Sequence, residues 1–279
     1  MFCTNASRSV SGPRLLHLMR RCHPVRTRLR SWRAARLLGL GPHCRRGGVA
    51  CRGRARRTRV KFRKIDEKLS MRRPLVEDER LRPLEDDLDF DVEWSELLIE
   101  GADWTGAHGD GSLESSAVRN SDLSGAVLSP FEVVDVVVDH SVLSNARWEE
   151  ATARRVEITE SQLVGWQAQF SLVQDLYVAD SRADFAGISI GTAKGPVVFE
   201  RCRFTNATFL GDFSKAVFIE CSFPGADFSR VSNAKGCDFR RAELGGITGL
   251  MSLKGALITA DQAVEIAGEL AVAAGFKLA

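Results

Sequence analysis

The sequence predicts an all-β solenoid, a chain wound into a stack of coils and closed by a short C-terminal α-helix. Three observations carry this. From Leu113 every fifth residue is apolar: Leu113, Val118, Leu123, Leu128, Val133, Val138, Leu143, Trp148, Ala153, Ile158, Leu163, Ala168, Val173, Val178, Ala183. Two places ahead of most of these stands a small residue, such as Ser116, Ser121, Ala126, Ser141, Ala146, Ala151, Ser161 and Ser181, with Phe131, Val136, Val156, Trp166 and Leu176 as misfits. After Arg201 the count resumes on Phe204, Phe209, Phe218, Phe223, Phe228, Phe239 and Leu244.

A period of five fits neither ordinary element. An amphipathic helix needs apolar steps of three and four, and a half-buried strand needs alternation. Five-residue steps smear an apolar residue around a helix and flip it between the faces of a strand. They suit a chain that turns a corner every five residues. Four corners then close a coil of about twenty residues, and coils stack at about 4.8 Å. The apolar residue points into the tube, as does the small residue before it, where a large side chain would not fit. Polar residues face water, and backbone groups pair with the coils above and below.

The small-(Asp/Asn)-(Leu/Phe) units Ala102-Asp103-Trp104, Ser121-Asp122-Leu123, Ala226-Asp227-Phe228 and Cys237-Asp238-Phe239 resemble the pentapeptide-repeat proteins. The resemblance covers over half the chain. It implies a right-handed quadrilateral β-helix of about eight coils, a rod on the order of 38 Å long at the inter-strand spacing.

Charge divides the chain. Residues 1–70 hold 20 of the 39 Lys and Arg but only two of the 36 acids, leaving 19 bases against 34 acids, a net of −15, beyond position 70. The Arg-rich segment 1–70 has no sustained apolar period and is expected to be disordered, because it cannot bury enough apolar surface. Three readings stand for it: an upstream extension from a misplaced start before Met71, an organelle transit peptide, or a phosphate-gripping tail around Arg52-Gly53-Arg54-Ala55-Arg56-Arg57. A chain begun at Met71 is expected to fold and stay soluble. Residues 71–99 combine acidic runs, Pro74 and Pro83 with one apolar cluster, Trp94, Leu97, Leu98 and Ile99. They are expected to form an acidic lead-in whose last turn caps the first coil; an acidic docking tail is the alternative.

The array is expected over 100–258, with Leu113, Leu123, Leu128, Val138, Leu143, Trp148, Ile158, Leu163 and the seven late Phe and Leu residues as its inward core. Breaks in the count fall at 107–111, at 190–196 and at 231–236. One residue fewer between Phe209 and Phe213 stacks Phe204 under Phe223 and Phe209 under Phe228. Residues 259–279 read as a capping helix: Thr259 as N-cap with Gln262 three places on is a capping box. Ala263, Ile266, Ala267 and Leu270 then follow helical spacing, and Gly275 can stop the helix. That apolar face either seals the last coil or meets a second copy, a C-terminal homodimer of the kind the resemblance implies.

Chemical motifs are sparse. Outside 1–70 the histidines are His108 and His140, with no second ligand at metal spacing. No GxSxG or HExxH occurs. Gly191-Thr192-Ala193-Lys194-Gly195 lacks the Gly directly before Lys and the Ser or Thr after it that a phosphate loop needs. The aspartates 103, 122, 227 and 238 are expected to face solvent as repeat residues. Cys202, Cys221 and Cys237 occupy the small inward position as compact filler, and the seven cysteines suit a reducing, cytoplasmic setting. No apolar run reaches membrane-spanning length. The expectation is a non-catalytic scaffold with no cofactor, no metal and no small-molecule substrate, binding an unidentified protein partner; nucleic acid enters only if residues 1–70 are native. The alternative implied by the resemblance is a mimic of duplex DNA that binds DNA gyrase or topoisomerase and alters quinolone sensitivity. Against it, residues 100–258 carry 21 acids and 14 bases, with Arg201, Arg203, Arg240 and Arg241 in the later half.

Overall fold

The structure, a computed structural model, describes residues 60–84 and 91–277, all within the compact unit Arg56–Ala279. Its strands are β1 (Phe62–Lys64), β2 (Ser70–Arg72), β3 (Arg82–Pro83), β4 (Asp91–Ser95), β5 (Leu97–Glu100), β6 (His108–Arg119), β7 (Val127–Asp139), β8 (Arg147–Thr159), β9 (Gln167–Ala179), β10 (Gly187–Ile190), β11 (Val197–Glu200), β12 (Thr208–Asp212), β13 (Ala216–Ser222), β14 (Asp227–Asn233) and β15 (Asp238–Glu243); α1 (Ala260–Glu265) and α2 (Ala267–Ala273) follow. Apart from the antiparallel pair β1/β2, all strand pairing is parallel, as stacked coils require. β6, β7, β8 and β9 stack in sequence, after which the ladder divides: β10, β12 and β14 continue one side, β11, β13 and β15 the next. Val133 lies over Ala153 and Val138 over Ile158, twenty residues apart. The result is a β-solenoid of about eight turns.

Each corner has a backbone cause. The residue two places after each inward apolar residue adopts positive φ at most corners: Asn120 (51°), Asp135 (56°), His140 (48°), Asn145 (57°), Arg155 (54°), Asp180 (51°), Asn206 (53°), Glu220 (51°). The left-handed conformation costs L-residues about 1–2 kcal/mol each, so no Val, Ile or Thr stands among them. The coil overdetermines this strain through its hydrogen bonds. Gly211 (φ 89°) needs its lack of a side chain, because a Cβ there would lie 2.1 Å from the Ile190 carbonyl oxygen.

The small position does more than avoid a clash. Ser121 donates its hydroxyl to the Arg119 carbonyl and receives the Ala102 amide; Ser141 and Ser161 repeat this one coil higher each time, receiving the amides of Ser121 and Ser141. Ser181 ends the run, and Cys202 and Cys221 continue the column with Sγ on the Glu200 and Ile219 carbonyls. A serine here satisfies one corner N–H per coil that would otherwise be buried unpaired.

All fifteen inward core residues named above are at most 5% exposed. Phe204 stacks on Phe223 (5.5 Å between ring centres, 8° between planes), Phe209 on Phe228 (4.4 Å, 4°) and Phe218 on Phe239 (4.8 Å, 10°). Large residues do fit the small position where the neighbouring apolar position shrinks. Trp166 is 1% exposed beside Ala168, and meets Trp148 edge-on at 5.2 Å.

Four boundaries differ from the sequence reading. The segment 1–70 is not uniformly outside the fold: β1 and β2 form a hairpin packed on the rod, so position 70 falls inside an element, while residues 1–59 lie outside the described residues. The array begins before residue 100, because Trp94 pairs with Leu113 and Ile99 with Val118, making 91–100 a coil rather than its cap. The cap is β3, whose Pro83 suits an edge strand that needs no further donor; Arg82 and Leu84 donate to the carbonyls of Glu96 and Leu98. The break at 107–111 is a bulge within the wall, whereas 190–196, expected as an excursion, stays in the wall. β6 runs through the first with a register shift at Gly109/Gly111, and Ala193 bridges Val173 one coil below.

At the other end Thr259 and Gln262 form the capping box (2.8 and 3.1 Å), and Gln262 Nε2 also donates to the Phe239 and Ala242 carbonyls, so one side chain caps both helix and last coil. Within the two helices and their junction, Gln262 and Ile266 are the buried residues. Ala263, Ala267 and Leu270 are exposed, and the helix breaks at Ile266 into α1 and α2.

Candidate functional site

The bore is packed with apolar side chains, and the charged side chains among the described residues lie on the outer surface. The most elaborated part is the corner column Ser115, Asp135, Arg155 and Asp175, one residue per coil, with the side that follows it. On that side strands alternate in and out, so Val156 and Ile158 point in and Glu157 out; one coil on, Leu176 and Val178 point in and Tyr177 out. The outward residues Tyr177, Val198, Val217 and Ile219 form an apolar shelf, covered by Met71 with Ile65 and Leu69 beside it.

Residues 72–78 run across the coils here, along the rod. The backbone N–H of Arg72 donates to Asp175 Oδ1 (3.3 Å), and that of Leu75 to Asp135 Oδ1 (2.9 Å), two coils away. Three extended residues span about 10 Å and two coils about 9.6 Å, so an extended chain keeps step with the carboxylates. Between them Arg73 grips Glu157 through Nε and Nη2 (2.9 and 2.8 Å), and Arg63 adds Nη2 at 3.2 Å. The Arg63 guanidinium lies 3.8 Å from the centre of the Tyr177 ring, a cation–π contact. The Tyr177 hydroxyl donates to Glu200 (2.7 Å); burial, then that bond, pushes its pKa up to about 12. Arg155 holds Asp135 with two bonds of 2.6 Å, fixing the carboxylate that receives Leu75. Asp135, Glu157 and Asp175 are 4%, 3% and 5% exposed, so each is a buried acid with its partners supplied.

Other carboxylates are paired as well. Asp184 is almost fully buried; burial pushes its pKa up, but hydrogen bonds from Arg182 (2.5 Å) and Thr205 outweigh it and hold the group below the usual carboxylate range. Arg201 chelates Asp180 (2.5 and 2.7 Å) and Arg240 holds Asp238 (3.0 and 2.7 Å). His140 sits between Asp139 and Glu160, each at 2.9 Å, and the bond to Asp139 raises its pKa. His108 Nδ1 lies 2.7 Å from the carbonyl oxygen of Gly106.

The repeat aspartates are not simple solvent-facing groups. Asp103, Asp122, Asp227 and Asp238 each accept the N–H two residues on, at 2.8–3.1 Å, bracing the corner that follows; Asp238 is only 7% exposed. Cys202, Cys221 and Cys237 are buried free thiols, and burial raises the pKa of the latter two. No helix among the described residues is long and apolar enough to cross a membrane.

The sequence reading missed the shelf. Its signal was legible as apolar triplets, Leu176-Tyr177-Val178, Val197-Val198-Phe199 and Ala216-Val217-Phe218, whose middle residue must point outward and so needs a cover.

Residues 212–246 match the family model for pentapeptide repeats, in eight copies. No curated protein matches the chain. Among solved structures, a trypsin-treated variant of QnrB1, a plasmid-mediated fluoroquinolone resistance protein, is 18% identical over 66% of this chain and 99% of its own, at a TM-score of 0.36. HetL, a pentapeptide repeat protein involved in heterocyst differentiation regulation in the cyanobacterium Nostoc, is 17% identical over 59% of this chain and 86% of its own, at 0.24. Overlaps this loose carry no weight on function. The matched repeats lie in coils whose corners and inward columns continue those of the coils before them, and residues 212–246 are pentapeptide repeats within one continuous solenoid.

Proposed function

We propose that this protein is a non-catalytic scaffold whose rigid outer surface binds a protein partner. The observation that carries this is the division of labour along each coil. The inward side chains pack in the bore, while the outward side carries a track of acids and an apolar shelf that already hold an extended peptide, the chain's own residues 71–75. Affinity capture with the tagged full-length chain, followed by calorimetry with the purified partner, tests it. A partner should bind saturably and lose affinity when outward charges are reversed without loss of the fold. Failure to find any such partner, or binding indifferent to every outward reversal, would sink the reading. Three buried free thiols support a reducing, cytoplasmic location.

Val264, Leu270, Val272 and Phe276 are exposed on and beside the C-terminal helices, with Met251 nearby in sequence to the last coil. That apolar surface supports a homodimer through this end, which light scattering of the eluting protein would reveal as a doubled mass. The DNA-mimic alternative needs one continuous, unneutralised acidic face. Here Asp135, Glu157, Asp180, Asp184 and Asp238 are each held by arginine. We therefore expect no inhibition of gyrase supercoiling at micromolar protein.

A further inference from the structure

We infer that the corner track is a peptide-binding site, occupied in this chain by its own strap, residues 62–78, and open to an extended segment of a partner protein with the pattern apolar-X-Arg-Pro-apolar. The inference rests on the scaffold reading and gives it a face.

The track recognises features that any extended chain of that pattern can supply. Two of its acids, Asp135 and Asp175, take from the strap backbone N–H groups and not side chains, at a spacing that fits extended backbone. Glu157 selects an arginine between them, because the two parallel bonds from Arg73 are a fork that lysine cannot make. The shelf of Tyr177, Ala179, Val198, Val217 and Ile219 takes one apolar anchor, filled by Met71 at 1% exposed, and Pro74 is buried before the second contact at Leu75. A proline suits this place, since it favours an extended residue before it and its missing N–H is not called on by the track.

The strap itself is weakly self-supporting. Its hairpin pairs three residues with three, and an isolated two-stranded hairpin is marginal in water. Arg63 and Arg73 are 28% and 43% exposed on their side chains, so the grip on Glu157 is open to solvent on the strap's side while the acid is buried on the rod's. A polar cleft of about 220 Å³ is lined by Leu75 and Glu77 of the strap together with Arg80, Glu96, Glu114 and Asp135. Lifting the strap would leave Glu157 without its arginines and the shelf bare, so an occupant of the same chemistry is favoured in its place. Opening of the strap then limits access, and the apparent affinity for a competing peptide falls by the fraction of open molecules.

The experiment uses the full chain and a fluorescent synthetic peptide of residues 60–78. In the strap-released variant Met71→Asp/Arg73→Glu, the peptide should bind saturably, about ten-fold or more tighter than to the unaltered protein, whose site is filled. Adding Glu157→Gln to the released variant should weaken binding by about ten-fold. No binding to the released variant, or equal binding to both proteins, would overturn the inference. Circular dichroism and the thermal midpoint establish that the released variant keeps its coils. Should it unfold, hydrogen exchange on the unaltered protein decides: the Arg72 and Leu75 amides should exchange much faster than those of Val133 and Val138, and protection as high as the coil amides would overturn the strap's displaceability. The scaffold reading is tested separately by capture with the full chain, so a failed peptide assay with a partner captured elsewhere on the rod tells the two apart.

Discussion

Phe223→Ala tests the central packing claim. Phe223 is 1% exposed and meets five other rings, Phe204, Phe209, Phe218, Phe228 and Phe239, at centre distances of 5.2–6.0 Å. Truncation takes away roughly 120 Å² of buried ring surface, worth ~3 kcal/mol at about 25 cal/mol per Å². The walls around it are coils tied to one another by parallel ladders, so they cannot collapse into the gap. A residual hole on the order of 60 Å³ adds about 1.5 kcal/mol. The expected loss is therefore ~4–5 kcal/mol, the upper part of the range for such a change. Phe223→Leu should lose far less, about 1–1.5 kcal/mol, because it keeps most of the volume. The assay is guanidinium unfolding followed by far-ultraviolet circular dichroism, with the loss read from the midpoint at constant slope. Because coils interact with their neighbours alone, fraying of the C-terminal coils ahead of the rest is a further expected sign. A loss below about 1 kcal/mol would mean that the ring is not enclosed as described, and the stacking argument would fail with it.

Other outcomes follow from single sites. Glu220, exposed at a corner with φ 51°, should tolerate Gly with unchanged or slightly higher stability, whereas Glu220→Val should lose ~1–3 kcal/mol; equal midpoints for the two would refute the left-handed corner. Asp184→Asn should cost about 1.5–3 kcal/mol at neutral pH. Its native pKa is depressed, so its contribution is present above about pH 4 and lost as pH falls through the native value; the gap between the two proteins should close in acid, and a gap independent of pH would contradict this. Gln262→Ala should speed amide exchange in 260–273 and in β15 together, since its side chain serves both, and Thr259→Ala should cost about 1 kcal/mol with less effect on β15. A chain begun at Met71 loses β1 and Arg63, and should unfold at lower denaturant than one begun at residue 60; coincident curves would return the hairpin to a passive role.

Much of this molecule was legible in its sequence. The five-residue count named the inward residues individually, from Leu113 to Leu244, because in a narrow tube each inward position has one direction to point and little room for substitution. Phe204 under Phe223 and Phe209 under Phe228 followed from counting alone. The same holds for the Thr259 and Gln262 box, whose bonds are local to one helical turn. What the count did not give is why the small residue is so often serine: the hydroxyl ladder joins residues twenty apart and becomes visible only when coils are stacked.

The strap escaped for a related reason. An Arg-rich stretch without apolar period gives no sign of structure, and residues 62–78 gain order from groups 60 to more than 100 positions away. Asp135, Glu157 and Asp175 likewise look like ordinary polar residues in the repeat until the coils set them on one edge, one to three residues of extended chain apart. The coil is written locally, since each turn depends on its own five residues and their immediate neighbours above and below. Which side of the rod is covered emerges from long-range packing alone, because it depends on a segment folding back across coils that share no sequence register with it.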